Sequence, residues 1–575
     1  MTTRDPMYTE DFAAGNFKEH YSLLDETVSQ IPPEMDRSGN VEYKTKLEAV
    51  TDTRTTHLAT QLQWRLAEGN GHAVYMVGVR DDGFLVGITE AELDATISVI
   101  RRMARQLANV AIVSIKKRVL PNRSNRVVAE VHMDQHSNTL RTEVRVAVLG
   151  DLGVGKSTVL GCLTYGEADD GRGKSRLNLL RHRHEVESGR TSSIALGVVG
   201  FNADGQVLNY ANNRSAEQIY QRSRHVVTLI DTCGYAKHLK TTARAIAGHS
   251  PHAFCVTIAA DRGAVTQTTR EYLRIAAVLK MPLMIVLTKM DIAAKTTFAA
   301  LMHDILATLD VTVPGRGRCI VTSTSESKQL AEDMMGLVVV PIFTTSAVRT
   351  LGFSELTAVL SKTQQSNLSG AELEAAGSSP SFEFHVEHTY SIDDVGIVVT
   401  GWVNRGSVSI GTGAAKKQLC IGPTSAGDFV NIEINSIHTL RIPTEIAEAG
   451  TSAALAIKTS KPESIEKGMV ILDRSYLSKS GRKRISTEFT ARIAILNQEF
   501  RNMQSVIVHI RSAYRLAQVL AITDAISDDP QQQDGLDRDH AVVRLRFDDN
   551  VCDYLSPGLP IVARDGQNIV FAGHV

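Results

Sequence analysis

The spacing of apolar side chains changes along this chain, and each change predicts a different architecture. Residues 1–40 are polar and acidic, carry Pro32-Pro33 and Ser38-Gly39, and predict a poorly ordered tail. From 41 to 140 two rhythms alternate. Leu58, Leu62 and Leu66 fall on one helix face across His57–Glu68, Gly69-Asn70-Gly71 ends that helix, and Ala73–Val79 reads as a strand. Asp81-Asp82-Gly83 predicts a turn into Phe84–Ile88. Thr89-x-x-Glu92 matches a capping box for a helix to Leu107, and Val110–Ile115 and Val127–Met133 supply two more strands. These elements predict a compact α+β module.

From 141 to 362, apolar runs alternate with amphipathic helical stretches, the signature of a parallel α/β sheet. The strand candidates are Val144–Leu149, Val226–Ile230, Ala253–Ala259, Leu283–Leu287 and Val338–Phe343. Residues 363–381, rich in Gln, Ser, Gly, Ala and Glu, predict a linker. Beyond them the helical period disappears. Short alternating strands between Gly, Asn and Asp turns predict one β-barrel over 382–477 and a second over 484–575. A basic, glycine-containing joint at 478–483 separates them, and a polar loop at 527–539 interrupts the second. The fold expected is multidomain: an α+β N-terminal module, a P-loop α/β domain and two C-terminal all-β barrels.

Composition narrows the setting without changing this picture. A length of 575 residues suggests about four domains at ~150 residues each, and 43% hydrophobic with 22% charged residues is globular usage. No apolar run is long enough to span a bilayer, and the polar, acidic start does not resemble a secretion signal. Six scattered cysteines without C-x-x-C pairs suit a reducing compartment, so a cytoplasmic monomer with no membrane partner is the expectation. A net charge of −1 gives no global drive toward nucleic acid, so RNA contact would need local basic surface.

The chemistry is concentrated at the strand ends of the α/β region, where open sheets of this kind bind ligands. After Val144–Leu149 comes Gly150-Asp151-Leu152-Gly153-Val154-Gly155-Lys156-Ser157-Thr158, a G-x-x-x-x-G-K-S pattern between a strand and a helix. Its backbone N–H groups can wrap a phosphate, Lys156 can reach the outer phosphoryl oxygens, and Ser157 can ligate Mg²⁺. Asp231-Thr232-Cys233-Gly234 follows the next strand. D-x-x-G alone is a common turn, but downstream of a phosphate loop it places Asp231 toward Mg²⁺ through water and the Gly234 N–H toward a γ-phosphate. Thr288-Lys289-Met290-Asp291 supplies a carboxylate that accepts from the guanine N1–H and 2-amino group, with Lys289 along the base. Thr345-Ser346-Ala347 supplies a backbone donor for the guanine O6. In this order the motifs specify a GTP site with Mg²⁺. Between the first two lies a polar insertion, Arg181-His182-Arg183-His184-Glu185-Val186-Glu187-Ser188-Gly189-Arg190-Thr191-Ser192-Ser193. It reads as a switch loop, with Thr191 or Ser193 completing the metal shell.

These residues resemble an elongation-factor-type translational GTPase, within the GTP-binding-protein-one and -two branch of ribosome-associated GTPases. The resemblance runs from about residue 41 onward. It includes Gln63-Trp64-Arg65-Leu66-Ala67-Glu68-Gly69, Gly171-Arg172-Gly173, the stretch Arg181–Ser193, Val395-Gly396, Gly422-Pro423-Thr424 and Ala541-Val542-Val543-Arg544. It implies GTP-dependent work at the ribosome: delivery of aminoacyl-tRNA, or resolution of stalled ribosomes with links to mRNA-decay factors. Registering the family's switch onto Arg190–Ser193 puts the metal hydroxyl at Ser193 rather than Thr191. The chain departs from the family at two places. Tyr235 stands where the family has a His that positions the attacking water, and a phenol differs in shape and is a weak general base. His238, three residues on, is the candidate to take over. The family's phosphate-loop Asp is Gly153 here. Both departures fall on hydrolysis and spare binding, so a GTP-loaded switch with little turnover is the alternative reading. A GTP-driven metabolic enzyme on the same scaffold is a third.

Overall fold

The computed structural model describes residues 31, 39–48, 51–69, 72–107, 110–120, 126–135, 142–235, 238–364, 381–393, 395–410, 418–444, 446–479, 484–524, 540–548, 551–566 and 568–575. Most of the expected 1–40 tail and 363–381 linker lies outside these residues, as do residues 480–483 of the joint and the whole 527–539 loop. One compact unit contains Arg141–Leu440 and Ile446–Val575, and the N-terminal elements between Val41 and Gln135 form another.

In the N-terminal unit the strands β1 (Val41–Lys44), β2 (His72–Val77), β3 (Val110–Val119) and β4 (Val127–Gln135) form a sheet in the order β1-β2-β4-β3. The first helix spans Asp52–Glu68, five residues earlier than the leucine spacing predicts, because Thr51 caps it by accepting from Arg54 N–H. The expected Thr89–Glu92 capping box is present and starts the helix Glu90–Gln106. Arg65 is buried and pairs with Glu42 at 2.7 Å, which leaves neither charge uncompensated. The expected strand Phe84–Ile88 reduces to isolated bridges, among them Val79 with Leu85 and Ile88 with Val127.

The second unit is built on an eight-stranded sheet of β5 (Thr142–Leu149), β6 (Ala195–Phe201), β7 (Val207–Leu208), β8 (His225–Asp231), β9 (Ala253–Ala259), β10 (Leu283–Thr288), β11 (Gly317–Val321) and β12 (Val339–Thr344). Its order is β11-β12-β10-β9-β5-β8-β6-β7, parallel from β11 to β8, with β6 and β7 antiparallel at one edge. All five strands expected from sequence are there. Glycines explain why β6 was not among them: a Cβ on Gly197 would lie 2.6 Å from Thr164, and one on Gly200 1.8 Å from Ser223. Helix packing demands glycine, and glycine erases the strand signal. β11 escapes for another reason, since it is an edge strand whose side chains are mostly half-buried or exposed.

Two closed six-stranded barrels follow. The first pairs Leu419–Gly422, Val470–Asp473, Glu383–Ile392, Gly396–Arg405, Ser452–Thr459 and Val430–Thr439 in that order, and closes between its last and first strands. The second runs Glu488–Ile495, His540–Phe547, Ala513–Asp524, Ser505–Ile510, Pro560–Arg564 and Ile569–His574. Buried polar contacts fasten the sheet to the first barrel. Arg145 on β5 pairs with Glu387 and stacks 4.4 Å from the Trp402 ring, and the Ser452 N–H donates to Glu143 at 2.9 Å. The helix Leu239–Gly248 meets the second barrel, where Ser512 Oγ donates to the Gly248 carbonyl at 2.8 Å. No helix among the described residues is long and apolar enough to cross a membrane.

Candidate nucleotide site

Every strand end expected to carry chemistry lies at one edge of this sheet. β5 is its buried centre, and the loop after it turns through glycines at φ +146° (Gly150), +73° (Gly153) and +94° (Gly155), a region that favours glycine. A Cβ on Gly150 would sit 2.4 Å from the Thr257 carbonyl oxygen of β9, so close approach demands glycine there as well. Gly155 starts the helix Lys156–Tyr165, which includes Ser157 and Thr158, and no side chain caps the helix. Its first N–H groups and the dipole therefore point to an anion seat. Lys156 Nζ lies in that seat and donates to the Gly150 and Asp151 carbonyls, each at 2.9 Å. Burial pulls its ammonium below the ordinary lysine range, with the charge of Asp231 opposing the shift.

Ser157 Oγ donates to Asp231 Oδ2 at 2.6 Å and lies 2.9 Å from Thr191 Oγ1. Asp231, at the end of β8, is fully buried, which pushes its carboxyl up to about 6, and its Oδ1 has no hydrogen-bond partner among the described residues. An orphaned carboxylate oxygen beside two hydroxyls is a donor set that fits a hard divalent cation. Gly234 sits so near the phosphate loop that a Cβ would be 2.3 Å from Lys156 Nζ.

The switch stretch is folded around Glu185, a residue that the sequence motifs did not single out. Its carboxylate accepts from the N–H groups of Arg181, His182, Ser192 and Ser193 and from both serine hydroxyls, at 2.6 to 3.2 Å. Burial opposes ionisation, but these donors outweigh it and hold the carboxyl at about 2. The Ser193 hydroxyl is turned to Glu185, and that of Thr191 is the one brought against Ser157. The Cys233 thiol fixes Thr191 further by donating to its carbonyl at 2.7 Å.

Asp291 Oδ1 accepts from Ser346 Oγ at 2.6 Å, so the T-K-x-D carboxylate is oriented by the loop after β12. Ser346 N–H donates to the Leu351 carbonyl, which leaves Ala347 N–H as that loop's candidate donor. Lys289 lies at φ +59° with Nζ 3.4 Å from Asp261. Thr288 is buried, and its hydroxyl donates to the Val154 carbonyl at 2.5 Å, so it braces the phosphate loop.

Tyr235 is 36% exposed, and the Arg190 guanidinium lies 5.6 Å above its ring. The His238 ring lies tilted against it at a centroid separation of 5.9 Å. The two residues expected to bear on hydrolysis are thus side by side, with Tyr235 clasped by the switch.

This chain belongs to the elongation-factor-type translational GTPases, and residues 141–366 match the elongation factor Tu GTP binding domain. Within that family it belongs with GTP-binding proteins 1 and 2. It is similar to GTP-binding protein 2 of Homo sapiens, 35% identical over 541 residues that cover 93% of this chain and 86% of that protein. It is 30% identical to GTP-binding protein 1 of Xenopus laevis over 525 residues, 89% of this chain and 74% of that one. The S. cerevisiae Ski7 GTPase-like domain bound to GTP has a similar fold, with a TM-score of 0.53 and 14% identity over 76% of this chain and 97% of that one.

Proposed function

We propose that this protein binds GTP with Mg²⁺ and hydrolyses it at the ribosome, delivering aminoacyl-tRNA or resolving stalled ribosomes with links to mRNA-decay factors. The observation that carries the nucleotide part is the convergence of Lys156, Ser157, Thr191 and Asp231 at one sheet edge, with Asp291 and Ala347 along the same edge. Ser157, Thr191 and, through water, Asp231 would hold the metal, which when bound neutralises phosphate charge. Lys156 and the helix N-terminus bind the phosphates, Gly234 N–H reads the γ-phosphate, and Asp291 selects guanine. The ribosomal part rests on family membership and on the junction between the switch-side helix Leu239–Gly248 and the second barrel, a route by which nucleotide state reaches the barrels. The protein acts in the cytoplasm. The exposed Tyr235 beneath Arg190 favours a second reading, a GTP-reading switch with little intrinsic turnover.

Sedimentation with ribosomes tests the first reading. Recovery with a non-hydrolysable GTP analogue is expected to exceed recovery with GDP by about 10-fold, within the 5–150-fold range of ordinary allosteric coupling. Equal recovery with both nucleotides would count against it. The metal assignment has its own test. Thr191→Ala is expected to raise the Mg²⁺ concentration needed for GTP retention at least about 10-fold, since even removal of a metal ligand's outer partner costs roughly 10–100-fold. Alanine at the hydroxyl of Ser193 should shift it far less; the reverse order would return the role to Ser193.

A further inference from the structure

Arg262 lies outside every motif used so far, yet its side chain reaches the phosphate loop. β9 ends at Ala259, Ala260–Arg262 form one 3-10 turn, and Gly263 at φ +74° turns the chain away. The guanidinium crosses to the loop after β5. Nη1 donates to Asp151 Oδ2 at 2.9 Å, and Nη2 to the Leu152 carbonyl at 2.5 Å. Asp151 is itself fixed, its Oδ1 accepting from Leu152 N–H at 2.7 Å. Arg262 is one-third exposed, so its head is on the open lip of the site and not in the core.

A further observation gives this contact a direction. A Cβ on Gly153 would have Arg262 Nη2 as its nearest neighbour, at 3.8 Å, so the guanidinium lies beside the glycine turn of the phosphate loop. Two cations thus flank residues 151–156, Lys156 on the inside and Arg262 on the lip. Asp151 meets part of the Arg262 charge, and a phosphate placed between the two cations would meet both. A guanidinium carries five N–H donors, more than these two contacts use.

We infer that Arg262 supplies, from within the chain, the guanidinium that meets the negative charge at the β–γ bridge of bound GTP. The inference rests on the nucleotide reading of the site and deepens it. In hydrolysis a water oxygen bonds to the γ-phosphorus, the bond from that phosphorus to the bridging oxygen breaks, and the electron pair remains on the oxygen that leaves with GDP. The water's proton ends on phosphate or in solvent. Negative charge grows on the bridging and γ-oxygens, and a guanidinium at the Leu152–Gly153 lip is placed to stabilise it. Asp151 holds the side chain at the lip before nucleotide arrives, which keeps the reorganisation small.

The test compares wild type, Arg262→Ala and Arg262→Lys for affinity to GDP and to the non-hydrolysable analogue GMP-PNP, with thermal melts to confirm folding. Arg262→Ala is expected to weaken GMP-PNP about 10-fold and leave GDP within about two-fold, and lysine should recover part of the loss because it keeps the charge. Where wild type turns over, single-turnover hydrolysis should fall about 10²-fold or more, short of the 10³–10⁵ that a fully engaged arginine finger contributes. Equal weakening of both nucleotides would make Arg262 a loop strut, and no change in either would remove it from the site; both overturn the inference. A wild type that binds neither nucleotide would instead overturn the site reading beneath it.

Discussion

Alanine in place of Lys156 lowers GTP affinity by about 100-fold or more while leaving the melting temperature nearly unchanged. The two effects separate because of what Lys156 does before nucleotide is present. Its ammonium is buried, and its bonds go to the Gly150 and Asp151 carbonyls, with no carboxylate among the described residues within bonding distance. Truncation removes a desolvated charge whose neutral partners are part of a loop braced independently by Thr288 and Arg262. With GTP bound, the same ammonium faces phosphoryl oxygens, and truncating one partner of a buried charged pair costs roughly 2–5 kcal/mol, equivalent to about 30- to several-thousand-fold in affinity. Equilibrium binding of a fluorescent guanine nucleotide, paired with a thermal melt, measures both quantities. Unchanged affinity would mean that the loop after β5 does not hold the phosphates.

Asn at position 291 is expected to exchange guanine for xanthine specificity. The carboxylate offers two acceptors to the two donors on the guanine edge, and Ser346 Oγ fixes its orientation from the side. An amide replaces one acceptor with an N–H₂ donor, so guanine meets donor against donor, whereas the 2-oxo group of xanthine accepts from it. Sites built on such polar pairs reject the mismatched partner strongly, and a loss of about 10²-fold or more for GTP relative to XTP is the expectation. Competition between the two triphosphates on wild type and variant reads it. A variant that still prefers GTP by the wild-type margin would place the base elsewhere.

Much of this was legible in the sequence for a physical reason. The buried strands β5, β8, β9, β10 and β12 are continuous apolar runs, and the phosphate, D-x-x-G and T-K-x-D motifs are contiguous, so backbone geometry alone brings their residues to one edge. What escaped depends on tertiary placement. Glu185 gathers six donors, yet in sequence it is one acid in a polar loop with no period to betray it. Counting along Thr191-Ser192-Ser193 does not show which hydroxyl meets Ser157, because that depends on which hydroxyls Glu185 takes. Thr288 belongs to a base-recognition motif but braces the phosphate loop, a contact across 134 positions of sequence. Arg262 sits in an undistinguished turn, and only the adjacency of β9 to β5 brings it to the phosphate loop.

GTP hydrolysis at the ribosome, by a site in which Tyr235 stands beneath Arg190, is put to the test by single-turnover hydrolysis of GTP by the purified protein, with and without ribosomes, on wild type and Tyr235→His. Ribosomes are expected to accelerate the wild type by about 10²-fold or more, the size of effect that positioning a proton-transfer group produces. Tight GTP binding with no ribosome-stimulated turnover, and turnover gained only with histidine at 235, would contradict it and leave a protein that reads GTP without hydrolysing it.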